Sequence, residues 1–310
     1  MTGKIDVHQH LLPPEYQRAF TGSGRTPGGW PVPDWDPKTA LAMMDEARIA
    51  TGVLSISAPG VHFGDDAAAR ELARATNDYH AELVKDRPDR FGQFAVLPLP
   101  DVEGATAEAV RALDELHADG VAVLSNAHGR YLGDPSYEPL WTELDARSAV
   151  VFVHPAEPPM PRLEGLPSPV LDFPFDTTRS ALHLVANGVF DRHPRLRVIL
   201  SHAGGFLPYA AHRFTFASMF NPDTTEESIF EGLRRFYFDT ALSSTPTSLP
   251  SLLAFAAPGH ILYGSDFPFN PAPSRKKYDT WLDTYEDLSE AELAAVHRTS
   301  AEALFPRLAQ

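Results

Sequence analysis

Val150-Val151-Phe152-Val153-His154 is an unbroken apolar run that stops on a histidine. Four apolar residues in a row fit a strand buried on both faces, as in a parallel sheet covered by helices. Residues 197–201, with Val198-Ile199-Leu200 at their centre, repeat the pattern just before His202. Working outward from these two runs, similar short segments lie at 4–8, 51–57, 92–97, 120–124, 236–239 and 261–264, making eight. Stretches of helical spacing separate them. Residues 65–85 carry Ala69, Leu72, Ala73, Thr76 and Leu83, and residues 102–118 carry Ala105, Ala109, Ala112, Leu113 and Leu116. Residues 177–190 and 246–256 read similarly, and Ser289 before Glu290 and Glu292 is a helix N-cap for a last helix ending near Leu304. The alternation predicts an α/β fold: a (β/α)8 barrel of the TIM type in one domain over 1–310, with long loops on its C-terminal face. A doubly wound open sheet is the alternative.

Composition limits the function. With 310 residues and 43% hydrophobic content the chain can bury a large core. It has no Cys, which excludes disulfides, thiolate-held zinc, iron–sulfur clusters and a thiol nucleophile. Lys+Arg is 26 against Asp+Glu 41, a net charge of −15, which argues against nucleic-acid and anionic membrane partners. The opening Met1-Thr2-Gly3-Lys4-Ile5-Asp6 lacks the apolar core of a signal peptide, and no apolar run of about 18 residues occurs. The expectation is a cytoplasmic protein without a membrane segment.

Chemistry gathers where the strands end. His8-Gln9-His10 closes the first, and alternate residues on a strand share a side. His154 closes the fifth, Ser201-His202-Ala203-Gly204-Gly205 follows the sixth, and Gly264-Ser265-Asp266-Phe267-Pro268 follows the eighth. In a barrel these ends form the active-site rim. His8, His10, His154 and Asp266 supply three imidazoles and a carboxylate, a suitable set for a divalent ion. His80, His117, His183, His193 and His297 fall in or beside helical stretches and read as solvated surface residues.

In this order the four motifs resemble the amidohydrolase superfamily over essentially the whole chain. More narrowly they resemble its decarboxylase branch, the aminocarboxymuconate semialdehyde, γ-resorcylate and 6-methylsalicylate decarboxylases. His8-Gln9-His10-Leu11-Leu12-Pro13-Pro14, Trp35-Asp36-Pro37 and Tyr131-Leu132-Gly133-Asp134-Pro135 support the branch. The resemblance implies that His8, His10, His154 and Asp266 hold the metal and that His202 acts in catalysis. It also implies that Arg213 holds a substrate carboxylate, in its own or a neighbouring subunit's site, and that the protein is a homodimer. Strand four, Gly120-Val121-Ala122-Val123-Leu124-Ser125, has no lysine to bridge two metals, so one ion is expected, zinc ahead of manganese. Residues Lys38-Thr39-Ala40-Leu41-Ala42 lack the arginines of the muconate enzyme, which disfavours a dicarboxylate substrate.

The expected reaction is loss of CO2 from a small aromatic, salicylate-type acid with protonation of the ring carbon. His202 would be the general acid/base, and Asp266 would share in proton transfer. Phe173, Phe267 and Trp35 are the expected substrate contacts, with Phe175 and Phe269 as further wall candidates in loops after strands one, five and eight. Ser57-Ala58-Pro59-Gly60 is expected at the mouth, and Asp239 as a supporting or structural residue. Metal-dependent hydrolysis of a lactone, ester or amide is the alternative, and a non-enzymatic binding protein is the third reading. Of 29 prolines, sixteen follow strands one, five and eight, which predicts stiff loops over the site.

Overall fold

A computed structural model describes residues 3–309, and its centre is a ring of parallel strands in chain order. They are β1 (Lys4–His10), β2 (Ile49–Ser55), β3 (Phe91–Val96), β4 (Gly120–Leu124), β5 (Val150–His154), β6 (Arg197–Leu200), β7 (Tyr237–Asp239) and β8 (Ile261–Leu262). The segment after β8 returns to β1 and closes the ring. Val7 N donates to Tyr263 O (3.0 Å), Asp266 N to His8 O (2.8 Å) and His10 N to Phe267 O (2.7 Å). All eight expected strands are present, and the fold is the (β/α)8 barrel rather than an open sheet.

The two faces of the strands build two cores. Ile5, Val7, Val53, Phe94, Ala122, Val150, Phe152, Ile199 and Leu262 fill the lumen. Leu304, Phe305 and Leu308 join them, so the C-terminal residues plug the N-terminal end of the barrel. A larger apolar layer lies between strands and helices and includes Leu54, Val121, Val151, Leu200, Leu184 and Trp141. Each buried Leu or Phe side chain contributes roughly 1.5–3 kcal/mol over its exposed state.

The proline-rich loops expected to be stiff include helices as well as the irregular stretches 23–36 and 155–167. Pro14 and Pro37 open the helices Pro14–Gly22 and Pro37–Ala47. Pro169 and Pro273 sit in the first turns of Ser168–Ala186 and Ala272–Asp283. Proline is tolerated there because the first-turn N–H has no intrahelical partner. Asp36 caps the second of these helices with a capping box to Thr39. Phe173, expected in a loop, therefore lies on the helix Ser168–Ala186, which continues past Pro174.

Two of the histidines expected on the surface are buried. His80 donates from Nε2 to Gly92 O (3.0 Å), and His193 Nε2 meets Glu138 (2.8 Å). His183 and His297 are half-buried, and His117 is exposed. Lying in or beside a helix did not set their exposure: His80 faces β3 and His193 meets the helix Glu138–Ala146, and these neighbours exclude the solvent. Among the described residues no helix is long and apolar enough to cross a membrane.

Candidate active site

Asp6 sets the phase of the first strand. Ile5 and Val7 point into the lumen, and strict alternation would send Gln9 after them. The pairing of β1 with β2 instead slips between Asp6 and Gln9. The Asp6 carboxylate holds this irregularity: Oδ1 accepts from the N–H of His8 (3.0 Å) and of Ser265 (3.0 Å), and Oδ2 from Gln9 Nε2 (2.9 Å). Burial raises its pKa to about 6 against these hydrogen bonds. The slip turns His8 and His10 inward above Val7. Nothing in sequence spacing signals it, because a bulge has no fixed residue pattern.

His8, His10, His154 and Asp266 then meet. All four are buried, and one donor atom from each lies within 4.8 Å of the others. Asp266 Oδ1 is 3.3 Å from His8 Nε2 and 3.2 Å from His10 Nε2. The far ring nitrogens are tied down. His8 Nδ1 donates to Asp239 Oδ2 (2.7 Å), His154 Nδ1 to Pro155 O (2.9 Å), and His10 Nδ1 faces Ser55 O (3.3 Å). With a proton on Nδ1 alone, each Nε2 would present a lone pair to a common point. Three converging lone pairs beside a carboxylate fit a cation, and the tied nitrogens are the outer partners a metal-ligating histidine needs.

The electrostatics agree. Burial and the neighbouring imidazole of His8 hold His10 below its ordinary pKa, with Asp266 opposing. Burial and the imidazoles of His10, His8 and His202 hold His154 well below. Burial also opposes a charge on His8, but Asp239 and Asp266 outweigh it and raise its pKa to about 10, so without a cation both ring nitrogens keep a proton and a bound ion would take the place of the one on Nε2. For Asp266, burial is outweighed by His8, His10 and His202, so its carboxyl stays well below the usual range. Two carboxylates thus bracket a place for positive charge.

His202 stands beside this cluster, its Nε2 3.5 Å from Asp266 Oδ2 and its ring centroid 4.9 Å from that of His8. Its backbone is unusual. His202, Ala203, Gly204 and Gly205 have φ of +54°, +56°, +71° and +66°, and Asp266 has φ +58°. The left-handed region costs a non-glycine residue roughly 1–2 kcal/mol, and such strain gathers at functional sites. Gly205 is also required by space, since a Cβ there would stand 2.0 Å from Pro174 O on the neighbouring helix.

A cavity of about 570 Å³ opens over His154, His202 and Asp266. Trp30, Phe173, Phe269 and Leu242 give it apolar walls, and Asn270 and Ser57 line it as well. Phe173 lies 6.1 Å from the His154 ring and Phe269 5.4 Å from the His10 ring. Among the described residues no Lys or Arg lines it. On the same helix as Phe173, Asp176 is fully buried and accepts from Asn126 Nδ2 (2.7 Å), Tyr131 Oη (2.5 Å) and Ser125 Oγ.

Three expected substrate contacts fall elsewhere. Trp35 is 7% exposed and belongs to the apolar layer under the helices, where its ring fills core volume. Phe267 packs against the same layer, because it follows Asp266 directly and leaves the strand on the opposite side. Arg213 is exposed on the helix Leu207–Phe214, outside the cavity of its own chain. Trp30, Leu242 and Asn270 line the cavity instead; the sequence placed no signal on them, since each comes from an irregular loop. Ser57 reaches the cavity, whereas Ala58, Pro59 and Gly60 line a separate pocket of about 250 Å³.

The comparisons with known proteins are consistent with this geometry. The amidohydrolase family profile matches residues 5–307. The chain is 39% identical over 315 residues to a 6-methylsalicylic acid decarboxylase of Penicillium expansum, covering 98% of this chain and 97% of that protein. It is 32% identical over 337 residues to a γ-resorcylate decarboxylase of a Rhizobium species, covering 98% of each. Among solved structures, a dihydroxybenzoic acid decarboxylase of a Polaromonas species with bound manganese and the inhibitor 2-nitroresorcinol superposes with a TM-score of 0.84 at 28% identity, covering 99% of this chain and 97% of that one.

Proposed function

The chain belongs to the amidohydrolase family, and on that premise we propose that it is a metal-dependent, non-oxidative decarboxylase of a small aromatic acid of the salicylate type. One observation carries the reading: the cluster of four converging donors opens, through His154 and Asp266, onto a cavity with aromatic walls and, among the described residues, no cationic side chain. A benzoate-sized acid needs a partner for its carboxylate, and a bound cation is the partner this cavity can offer. A second carboxylate would find none, so the substrate is a mono-acid whose other ring substituents are uncharged.

His8, His10, His154 and Asp266 would hold one divalent ion. When bound, it supplies a Lewis acid that fixes the carboxylate and a neighbouring oxygen and so orients the ring. Three imidazoles and a carboxylate suit zinc, and manganese is the ion of the Polaromonas relative. The protein's own groups do the rest. Trp30, Phe173 and Phe269 sandwich the ring and exclude water. His202 delivers the proton to the ring carbon as the C–C bond to CO2 breaks, and Asp266 Oδ2 orients the His202 Nε2 that carries it. Such a placed acid is worth on the order of 10²–10⁴-fold in rate. Arg213, outside its own cavity, would serve a neighbouring copy in a homodimer. A cytoplasmic setting completes the reading.

The test is a panel of hydroxybenzoic acids, methylsalicylates included, with CO2 and the phenol both measured. Chelator-stripped protein should be inactive and recover with one equivalent of zinc or manganese. Turnover of lactones or esters without CO2 release from any acid would favour the hydrolytic reading instead.

A further inference from the structure

Asp239 ends β7, a strand that gives no member of the four-residue cluster, and it is fully buried. Its two oxygens serve different neighbours. Oδ2 accepts from His8 Nδ1 at 2.7 Å. Oδ1 accepts from the backbone N–H of His202 at 2.9 Å and of Ala241 at 3.0 Å. The site is tight around it, since a Cβ added at Gly264 would lie 2.9 Å from His8 Cβ and 3.1 Å from Asp239 Cβ.

From this we infer that Asp239 is a positioning residue that couples metal binding to the placement of the proton donor. The inference rests on the reading that His8 ligates the ion. Oδ2 holds a His8 proton on Nδ1, so the proton that a cation would displace is the one on Nε2, which faces His10 and Asp266. Oδ1 holds the amide of His202 at φ +54°, a conformation that persists only where its surroundings enforce it. One carboxylate therefore fixes a ligand's tautomer through one oxygen and the acid's backbone through the other. Anything that moves Asp239 disturbs both together.

Two substitutions separate the two duties. In Asp239→Asn the amide oxygen still accepts from His202 and Ala241. The amide nitrogen can only donate, so His8 must offer the lone pair of Nδ1 and carry its proton on Nε2, toward the metal position. Titration of chelator-stripped protein with manganese should show affinity lowered about 10- to 100-fold. The metal-free melting temperature should stay close to the parent's, and kcat should largely recover at saturating manganese. Asp239→Ala loses both contacts, so its kcat should stay low at saturating manganese. Manganese binding by Asp239→Asn as tight as the parent's, or full recovery of kcat in Asp239→Ala, overturns the coupling. Should Asp239→Ala not fold, Asp239→Asn decides through the titration. A parent protein that takes up neither manganese nor zinc overturns this inference and the reading beneath it together; a parent that binds, with an equal Asp239→Asn, overturns this inference alone.

Discussion

At the C-terminal rim His8, His10 and His154 each commit one ring nitrogen to a neighbour and turn the other toward a shared point. At the opposite end polar groups are used up in pairs. His80 donates to Gly92 O. Arg307 forks onto Asp119 at 2.7 and 3.0 Å, and Asp119 Oδ2 also accepts from Gln93 N (2.8 Å). Arg298 reaches Gly3 O at 3.0 Å. Backbone strain does not divide in this way: His202 and Asp266 hold left-handed φ at the rim, and Arg48, His117 and Ser148 hold it just before β2, β4 and β5. Satisfied groups hold a structure together; convergent, half-satisfied groups bind and react.

The sharpest way to break that division is His202→Asn. Asparagine tolerates left-handed φ, so the backbone should stay. The proton donor is gone, and kcat/KM on the best hydroxybenzoic acid should fall by about 10²–10⁴-fold. The melting temperature should hardly move. A variant that melts early and keeps its rate would make the rim structural and end the comparison. The mirror experiment is Phe305→Ala in the barrel plug. Phe305 is 3% exposed and packs on Phe94 with ring centroids 5.8 Å apart. Its loss should cost about 3–5 kcal/mol of stability, read by denaturant unfolding, with kcat unchanged well below the melting temperature.

His80 gives a pH version of the same contrast. Burial holds its pKa down to about 3, with the hydrogen bond to Gly92 opposing. In the unfolded chain its ordinary value is 6.5. Below 6.5 the unfolded state therefore binds a proton that the folded state refuses. Stability from this residue is whole above that pH and falls as the pH drops toward 3, by up to about 1.4 kcal/mol per pH unit. His80→Gln should flatten that part of the stability curve. An unchanged acid slope would mean that His80 does not govern the floor's response.

The strands and the four-donor cluster were legible because they rest on short-range facts. A continuous apolar run and a polar residue at its end are both visible in five or six letters. Asp6 and the slip it holds were not, because a bulge is defined by pairing with β2 and β8, which only the closed barrel supplies. Phe173 and Phe269 were found among the cavity walls, and the remaining walls were missed for the same reason. Leu242, Asn270 and Trp30 come from three loops whose paths depend on one another. The prolines marked the right loops but were read as stiffeners, whereas several start helices there.

Trp30 and Trp35 carry this lesson to its smallest measurable scale. They lie five residues apart between β1 and the helix Pro37–Ala47, and one faces the cavity while the other fills the core. Trp30→Ala should raise KM for an aromatic acid several-fold and leave stability within about 0.5 kcal/mol, as for a surface position. Trp35→Phe should do the reverse. It leaves KM alone and changes stability by at most about 1 kcal/mol, since the smaller ring loses contact while the buried, unpartnered indole N–H disappears with it. Exchange of these two outcomes would place the substrate on the Trp35 side and move the cavity's working wall to the core layer.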